Sequence, residues 1–186
     1  YQTQRDTFDT LLNDMDSFAP DMIMMSITNT TIFDDIKVIN ELKSKYNPIV
    51  VLKGALFFAP EQAMLDMIDF TNVDYLIGGE IDFCIGKIAD YCFKGIGNPA
   101  EINNILYKDE TGKIVPTQFH VWDDDLDSQP FPARQLMNNS LYIRPDTKEP
   151  MATIQTARGC PSQCVFCLTP EISGKKVRFR SPQNVL

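Results

Sequence analysis

The sequence has neither a long apolar run nor an excess of positive charge. Its 186 residues contain no stretch of about 18 apolar residues, the length that a membrane-spanning helix needs. The 17 Lys and Arg residues are outnumbered by 25 Asp and Glu residues, and the formal net charge is -8. Such an acidic chain is poorly suited to bind nucleic acid through bulk electrostatics. No signal peptide is visible, and five cysteines without a paired framework are typical of a reducing compartment, so we expect a cytoplasmic protein.

The first 95 residues alternate between helical and strand patterns. Apolar residues at helical spacing predict helices over residues 5–17 and 31–46, from Pro60, and after Gly79. Short apolar runs predict strands over residues 22–27, 48–52 and 73–77, and the first of them should be buried on both faces. This alternation predicts an α/β fold with a parallel sheet and right-handed crossovers.

The carboxyl ends of the predicted strands are candidate ligand-binding positions. Open parallel sheets bind ligands at this edge, which corresponds here to residues 26–31, 53–58 and 78–80. No Gly-x-Gly-x-x-Gly pattern and no phosphate-loop lysine motif occurs, so neither a dinucleotide nor a nucleoside triphosphate is indicated. Cys84 and Cys92 share one face of the fourth helix and are interpreted as buried apolar residues rather than metal ligands.

The pattern changes after residue 98. Residues 105–107 and 113–115 flank a glycine-containing turn and predict a β-hairpin. The acidic residues 123–127 lack the glycine and the closing glutamate of a calcium-binding EF-hand and are interpreted as a solvated linker. Residues 152–156 predict a further strand, and Ser181 followed by Pro182 predicts the start of a helix.

The stretch Arg158-Gly-Cys-Pro-Ser-Gln-Cys-Val-Phe-Cys-Leu168 is the most informative part of the chain. Its cysteines, Cys160, Cys164 and Cys167, are spaced Cys-x3-Cys-x2-Cys. Short loops of this kind hold iron–sulfur clusters through their thiolates. Three thiolates leave one iron of a cubane [4Fe–4S] cluster open, and an open iron can bind a small chelating molecule.

Zinc and a disulfide are the alternatives for these cysteines. A structural zinc site usually has four ligands, often as two Cys-x2-Cys pairs, and no fourth cysteine or histidine follows here. The only histidine, His120, lies 40 residues before the first cysteine. A disulfide cannot use all three thiols. The spacing alone favours the cluster and leaves zinc open.

The spacing, with Phe166 just before the third cysteine, resembles the radical S-adenosylmethionine enzymes. The resemblance implies that Cys160, Cys164 and Cys167 hold a [4Fe–4S] cluster whose open iron binds S-adenosylmethionine. It also implies that Phe166 lies against the adenine of that cofactor. Residues 152–156 would then be the first strand of a partial (β/α) barrel, with the cluster loop at its carboxyl end.

The α/β half resembles the cobalamin-binding domain that is fused ahead of many of these enzymes. The resemblance rests on the ends of the three predicted strands, and it implies cobalamin contacts by Ser26, Thr28 and Gly54. The chain departs from the family in two respects. Lys53-Gly54 stands where relatives usually have two glycines, and the first strand of the domain, with the loop that can carry a cobalt-ligating histidine, would precede Tyr1.

A third resemblance divides the chain. Leu126-Asp-Ser-Gln-Pro-Phe-Pro-Ala-Arg134 is similar to the connector between the two domains in this family. We therefore predict a cobalamin-binding-like α/β domain over residues 1–98, a hairpin and proline-containing linker over 99–150, and the start of a radical S-adenosylmethionine domain over 151–186. Both ends look cut, so we expect a fragment of a longer protein, without turnover by itself.

The resemblance implies an enzyme that cleaves S-adenosylmethionine reductively and, with methylcobalamin, transfers a methyl group to an unactivated carbon. We expect a small-molecule or metabolite substrate, an external electron donor such as flavodoxin or ferredoxin, and no binding of nucleic acid or membrane. Three alternatives stay open. They are a cyclase or rearrangement enzyme whose α/β domain is a scaffold without cobalamin, an iron–sulfur electron-transfer or sensor protein, and a zinc-binding interaction module.

Overall fold

A computed structural model describes residues 8–58 and 60–186. The described chain forms two compact units. The larger unit contains residues 20–124 and 159–177, and the smaller unit contains residues 8–19, 125–158 and 178–186. Within the described ranges, no helix is both long and apolar enough to cross a membrane.

The larger unit is built on a five-stranded sheet. Its strands are β1 (Met22–Ser26), β2 (Ile49–Lys53), β3 (Tyr75–Ile77), β4 (Ile105–Lys108) and β5 (Ile114–Pro116), and they lie side by side in that order. The first three strands are parallel, which confirms the predicted α/β sheet. β4 and β5 form the predicted hairpin, and β4 pairs antiparallel with β3, so the sheet extends past residue 98.

Helices connect the parallel strands, and one helix follows the cysteine-rich loop. The structure contains α1 (Phe8–Phe18), α2 (Ile32–Tyr46), α3 (Gln62–Leu65), α4 (Ile85–Lys94), α5 (Thr169–Ser173) and α6 (Pro182–Val185). The helix predicted from Pro60 is only one turn long. α4 ends at Lys94, because Gly95 follows with a φ of 66°, a left-handed conformation that glycine adopts without steric cost.

The core lies on both faces of β2. Successive side chains of a strand point to opposite faces, so Val50 and Leu52 pack with Ile39 of α2, whereas Val51 packs with Ile88 of α4. All five side chains are fully buried. Each contributes about 1.5–3 kcal/mol through removal of apolar surface from water. β2 is therefore the central, two-sided strand that its unbroken apolar sequence indicates.

The prediction that the first strand is buried on both faces is wrong. β1 is half-buried, and 49% of Met24 is exposed. Among the described strands β1 pairs only with β2, so it forms an edge of the sheet. An unbroken apolar run identifies a strand, but it does not reveal which strands have a neighbour on each side.

The strand predicted over residues 152–156 is also wrong. These residues are exposed and irregular, and the strand β6 (Ala157–Arg158) begins only after them, where it pairs antiparallel with β7 (Arg178–Phe179). A strand needs a continuous row of backbone partners, whereas residues 152–156 have scattered ones, such as Arg180 N–H donating to Thr156 O at 2.8 Å. The predicted barrel stays a prediction.

The start of α6 is confirmed. Ser181 is its N-cap, and the Ser181 hydroxyl oxygen accepts a hydrogen bond from Asn184 N–H at 3.2 Å. Pro182 occupies the first helical position, where its missing N–H would have no partner in the helix.

Candidate functional site

The carboxyl ends of β1, β2 and β3 form a cavity of about 260 Å³. Ser26, Lys53 and Gly78 line it from the three strand ends, and Ile172 of α5 lines it from the segment that follows the cysteine-rich loop. Because parallel strands point the same way, their ends meet at one edge, where backbone groups and loops can surround a ligand. The cavity lies where the sequence predicts ligand binding.

Close packing requires glycine at two of the strand ends that line this cavity. A Cβ on Gly78 would overlap the carbonyl group of Phe57, so no side chain fits there without movement of the backbone. A Cβ on Gly54 would lie 3.0 Å from both Cγ1 and the carbonyl oxygen of Ile27. The close approach is fixed by backbone pairing, since Ile27 N–H donates to Lys53 O at 2.9 Å. These positions therefore require glycine for space rather than for a special φ angle.

Two of the three predicted cobalamin contacts line the cavity, and the third does not. Ser26 and Gly54 line the cavity. Thr28 lies in the exposed loop beyond β1, where its hydroxyl group is hydrogen-bonded to the hydroxyl groups of Thr30 at 2.9 Å and Thr31 at 3.0 Å. The threonine side chain thus shapes the turn into α2. Lys53, the departure from the two-glycine pattern, lines the cavity with a half-buried side chain.

The cysteine-rich loop is largely exposed. Cys164 is exposed, and Cys160 and Cys167 are half-buried; all three are free of disulfides. Cys160 N–H donates to Gly174 O at 3.0 Å, and this bond holds the start of the loop against its end. A φ of 96° and the carbonyl group of Lys176, which a Cβ would overlap, require glycine at position 159.

Hydrogen bonds with Thr169 favour the thiolate form of Cys167. The Thr169 hydroxyl group at 3.3 Å and the Thr169 N–H at 3.5 Å stabilise the ionised sulfur, and they lower the pKa of the Cys167 thiol. The thiolate is the form that binds metal. In contrast, burial raises the pKa of Cys84 to about 11, as expected for an inert apolar cysteine.

The three thiols share one loop, but their sulfur atoms do not converge. Over residues 8–58 and 60–186, no three Cys, His, Asp or Glu side chains are close enough to hold one metal ion. Phe166, the predicted adenine contact, is 87% exposed. The donor chemistry of Cys160, Cys164 and Cys167 fits an iron–sulfur cluster, because three accessible thiols are free of disulfides. The loop would have to close for them to act together.

Sequence reasoning missed the residues that join this loop to the sheet edge. Trp122 Nε1–H donates to Ile172 O at 2.8 Å, and Asn104 holds the chain next to Trp122. The sequence assigned this region to a linker. The only available signal was the presence of a single tryptophan in a polar, acidic stretch, and that does not identify its partner.

No protein-family model matches this chain. An uncharacterized methyltransferase from Pyrococcus horikoshii is 27% identical over 185 residues, which are 97% of this chain and 38% of that protein. Cytidylyl-2-hydroxyethylphosphonate methyltransferase from Streptomyces wedmorensis is 34% identical over 84 residues, 41% of this chain and 15% of that protein. Hopanoid C-2 methylase from Rhodopseudomonas palustris is 32% identical over 62 residues, 33% of this chain and 10% of that protein.

Solved structures match nearly the whole chain. The cobalamin-dependent S-adenosylmethionine radical enzyme OxsB, with aqua-cobalamin and S-adenosylmethionine bound, has a TM-score of 0.71 at 18% identity over 96% of this chain and 24% of OxsB. The radical S-adenosylmethionine methyltransferase TsrM from Kitasatospora setae, with cobalamin and a [4Fe–4S] cluster bound, has a TM-score of 0.63 at 16% identity over 97% of this chain and 36% of TsrM. Three of these proteins match nearly all of this chain, and the chain spans between about a quarter and two fifths of their own lengths. The resemblance inferred from the sequence is confirmed at the level of the fold: the chain has the fold of the corresponding part of the cobalamin-dependent radical S-adenosylmethionine enzymes.

Proposed function

We propose that this chain is the cobalamin-binding and cluster-binding part of a cobalamin-dependent radical S-adenosylmethionine methyltransferase. The observation that carries the proposal is the glycine-lined cavity at the carboxyl edge of the parallel sheet, which lies in the same compact unit as the three-cysteine loop. The fold of OxsB and TsrM supports it, and both of those proteins bind cobalamin.

The strand ends would hold cobalamin by leaving space for it. Gly54 and Gly78 line the cavity without side chains, and Ser26 lies at the first strand end, where it would offer its hydroxyl group. Thr28 would contact the part of the cofactor that extends over the loop. Since pockets for organic ligands usually measure about 300–1,000 Å³, a cavity of about 260 Å³ would enclose only part of cobalamin. When bound, methylcobalamin supplies the methyl group.

The cysteine-rich loop would hold the cluster. Cys160, Cys164 and Cys167 would supply three thiolates, and the hydrogen bonds with Thr169 lower the pKa of Cys167. Phe166 is exposed and free to pack against the adenine of S-adenosylmethionine after the loop has closed. With S-adenosylmethionine on the open iron, the reduced cluster supplies the radical chemistry, and the protein provides position and exclusion of water.

Methyl transfer is the reaction we propose for the complete protein. All three curated relatives are named as methyltransferases or a methylase. We further propose a small-molecule substrate and an external electron donor such as flavodoxin or ferredoxin. Because this chain spans only 24% of OxsB and 38% of the Pyrococcus horikoshii protein, we expect no turnover from these 186 residues alone.

Anaerobic reconstitution of the full-length protein tests the two cofactor sites separately. We expect the wild-type protein to take up a [4Fe–4S] cluster and cobalamin, measured as iron and as visible corrinoid absorption. Cys164→Ala should lose the cluster and keep cobalamin. Cys92→Ala is the matched control, because Cys92 lies on α4 outside the loop, and it should keep both. A wild-type protein without iron, or a Cys164→Ala variant with undiminished iron, would refute the assignment.

A further inference from the structure

We infer that Trp122 is a positioning residue that fixes the cysteine-rich loop against the carboxyl edge of the sheet and thereby couples the cluster to cobalamin. The inference rests on the proposed function, since it gives a role to the segment that joins the two proposed cofactor sites. All the residues that carry it belong to the larger compact unit.

Trp122 contacts both ends of the connection between loop and cavity. Its Nε1–H donates to the carbonyl oxygen of Ile172, and the Ile172 residue lines the cavity. Its indole ring lies against Gly174, where an added Cβ would be 3.1 Å from ring carbons. The carbonyl oxygen of Gly174 in turn accepts the hydrogen bond from Cys160 N–H. One side chain therefore supports a residue of the cavity wall and the acceptor that holds the first cysteine.

Trp122 is itself held by the sheet. The buried side chain of Asn104 binds the adjacent residue twice: Asn104 Nδ2 donates to Val121 O at 2.5 Å, and Val121 N–H donates to Asn104 Oδ1 at 3.2 Å. The carbonyl oxygen of Asn104 accepts from Gly78 N–H at 3.0 Å, at the end of β3. A continuous set of hydrogen bonds and packing contacts thus runs from the glycine strand end through Trp122 to Cys160.

Two further contacts between the same segments are too exposed to serve as the anchor. Lys176 Nζ lies 2.6 Å from Asp124 Oδ2, with both side chains about two-thirds exposed. His120 Nδ1 lies 3.8 Å from Glu171 Oε2, also at the surface. Exposed ion pairs contribute little because solvent screens them. The half-buried hydrogen bond of Trp122 is therefore a stronger restraint on α5 than either of these two surface pairs.

A restraint on α5 has a consequence for both cofactors. Cys164 and Phe166 lie in an exposed stretch of the loop, between the half-buried Cys160 and Cys167. Cobalamin bound at the cavity would pack against Ile172 and stabilise the position that Trp122 supports. Because coupling between two binding sites is reciprocal, cobalamin should then increase the affinity for S-adenosylmethionine, and S-adenosylmethionine should increase the affinity for cobalamin.

The test compares Trp122→Phe with Glu171→Gln in the full-length protein. Phenylalanine keeps an apolar ring and removes the indole N–H, whereas Glu171→Gln removes the charge of an exposed pair on the same helix. Loss of one half-buried hydrogen bond predicts about fivefold faster amide hydrogen exchange over residues 159–177 in Trp122→Phe, and no change in Glu171→Gln. This readout needs neither cofactor.

The second readout is the coupling itself. In the wild-type protein, saturation with cobalamin should tighten S-adenosylmethionine binding by about fivefold, measured by the change in the spectrum of the reduced cluster. In Trp122→Phe, cobalamin should leave the affinity for S-adenosylmethionine nearly unchanged, a coupling factor of about one, and the iron content should equal that of the wild-type protein.

Three outcomes separate the hypotheses. Wild-type protein that binds neither cofactor refutes the proposed function, and the exchange comparison still tests the role of Trp122. Equal exchange and equal coupling in Trp122→Phe and Glu171→Gln overturn the inference. If Trp122→Phe does not fold, amide hydrogen exchange of the wild-type protein tests the proposal. Saturation with cobalamin should slow exchange over residues 159–177, and unchanged exchange there would contradict the proposal.

Discussion

Replacing Gly54 by alanine tests the cavity at the carboxyl edge of the sheet. The new Cβ would lie 3.0 Å from Ile27 Cγ1 and from Ile27 O, whereas carbon atoms in contact prefer about 3.5–4.0 Å. The side-chain atom can move, but the carbonyl oxygen is fixed by the backbone, so the strand end must shift. Overpacking of this size costs about 1–3 kcal/mol.

The same cost should appear in cobalamin binding. The variant can relieve the overlap by moving the strand end, and bound cobalamin would have to reverse that movement because Ile27 and Gly54 both line the cavity. A penalty of about 1–3 kcal/mol raises the dissociation constant of cobalamin by about 5- to 150-fold. The assay is a titration of the full-length protein followed by corrinoid absorption.

Gly86→Ala is the matched control for this substitution. Gly86 lies on α4, and nothing lies within 4 Å of its added Cβ. Alanine is the better helix former, so Gly86→Ala should raise the free energy of unfolding by about 0.5–1 kcal/mol and leave cobalamin affinity unchanged. An equal dissociation constant for the wild-type and Gly54→Ala proteins would show that the cavity does not bind the cofactor.

Two further predictions concern the thiol and the core. Thr169→Val removes the hydroxyl group that lowers the pKa of Cys167, so that pKa should rise toward its ordinary value. Alkylation of Cys167 in the iron-free protein should therefore slow near neutral pH. An unchanged pH profile of alkylation would contradict the role of Thr169. Val51→Ala should lower the free energy of unfolding by about 2–3 kcal/mol, because two buried methyl groups are lost from a fully buried site and a cavity remains. Met24→Ala, at a half-exposed position of β1, should lower the free energy of unfolding by less than half as much. Urea denaturation of both variants measures these changes, and an equal loss in the two variants would contradict the ranking.

The sequence predicts local elements well where one residue pattern decides them. Ile36, Ile39 and Leu42 recur at helical spacing and are buried on α2, and the apolar run at β2 becomes the central strand. Phe33 lies three residues before Ile36 and so continues the same spacing, but it is 58% exposed in the first turn of α2. Periodicity defines which face is apolar, but not how far the neighbouring element extends.

Long-range pairing was not predictable in the same way. The hairpin was expected, but its attachment to β3 depends on contacts between residues far apart in the chain. The same limitation applies to the exposed edge at β1 and to residues 152–156, where the apolar alternation finds no continuous partner.

In the candidate site, too, the sequence predicts the residue types but not the long-range contacts. The spacing of the cysteines and the glycines at the strand ends indicate the chemistry, because metal ligands and close backbone approach demand particular residue types. The contact from Trp122 to Ile172 has no sequence signature, because a backbone carbonyl acceptor is available at every residue.

The most direct test of the account is an electron paramagnetic resonance spectrum of the reduced, anaerobically reconstituted full-length protein, recorded with and without S-adenosylmethionine. We predict a [4Fe–4S] signal that changes when S-adenosylmethionine is added and that is missing from Cys164→Ala. A protein without a cluster signal, or with a signal that S-adenosylmethionine leaves unchanged, would contradict the assignment of Cys160, Cys164 and Cys167.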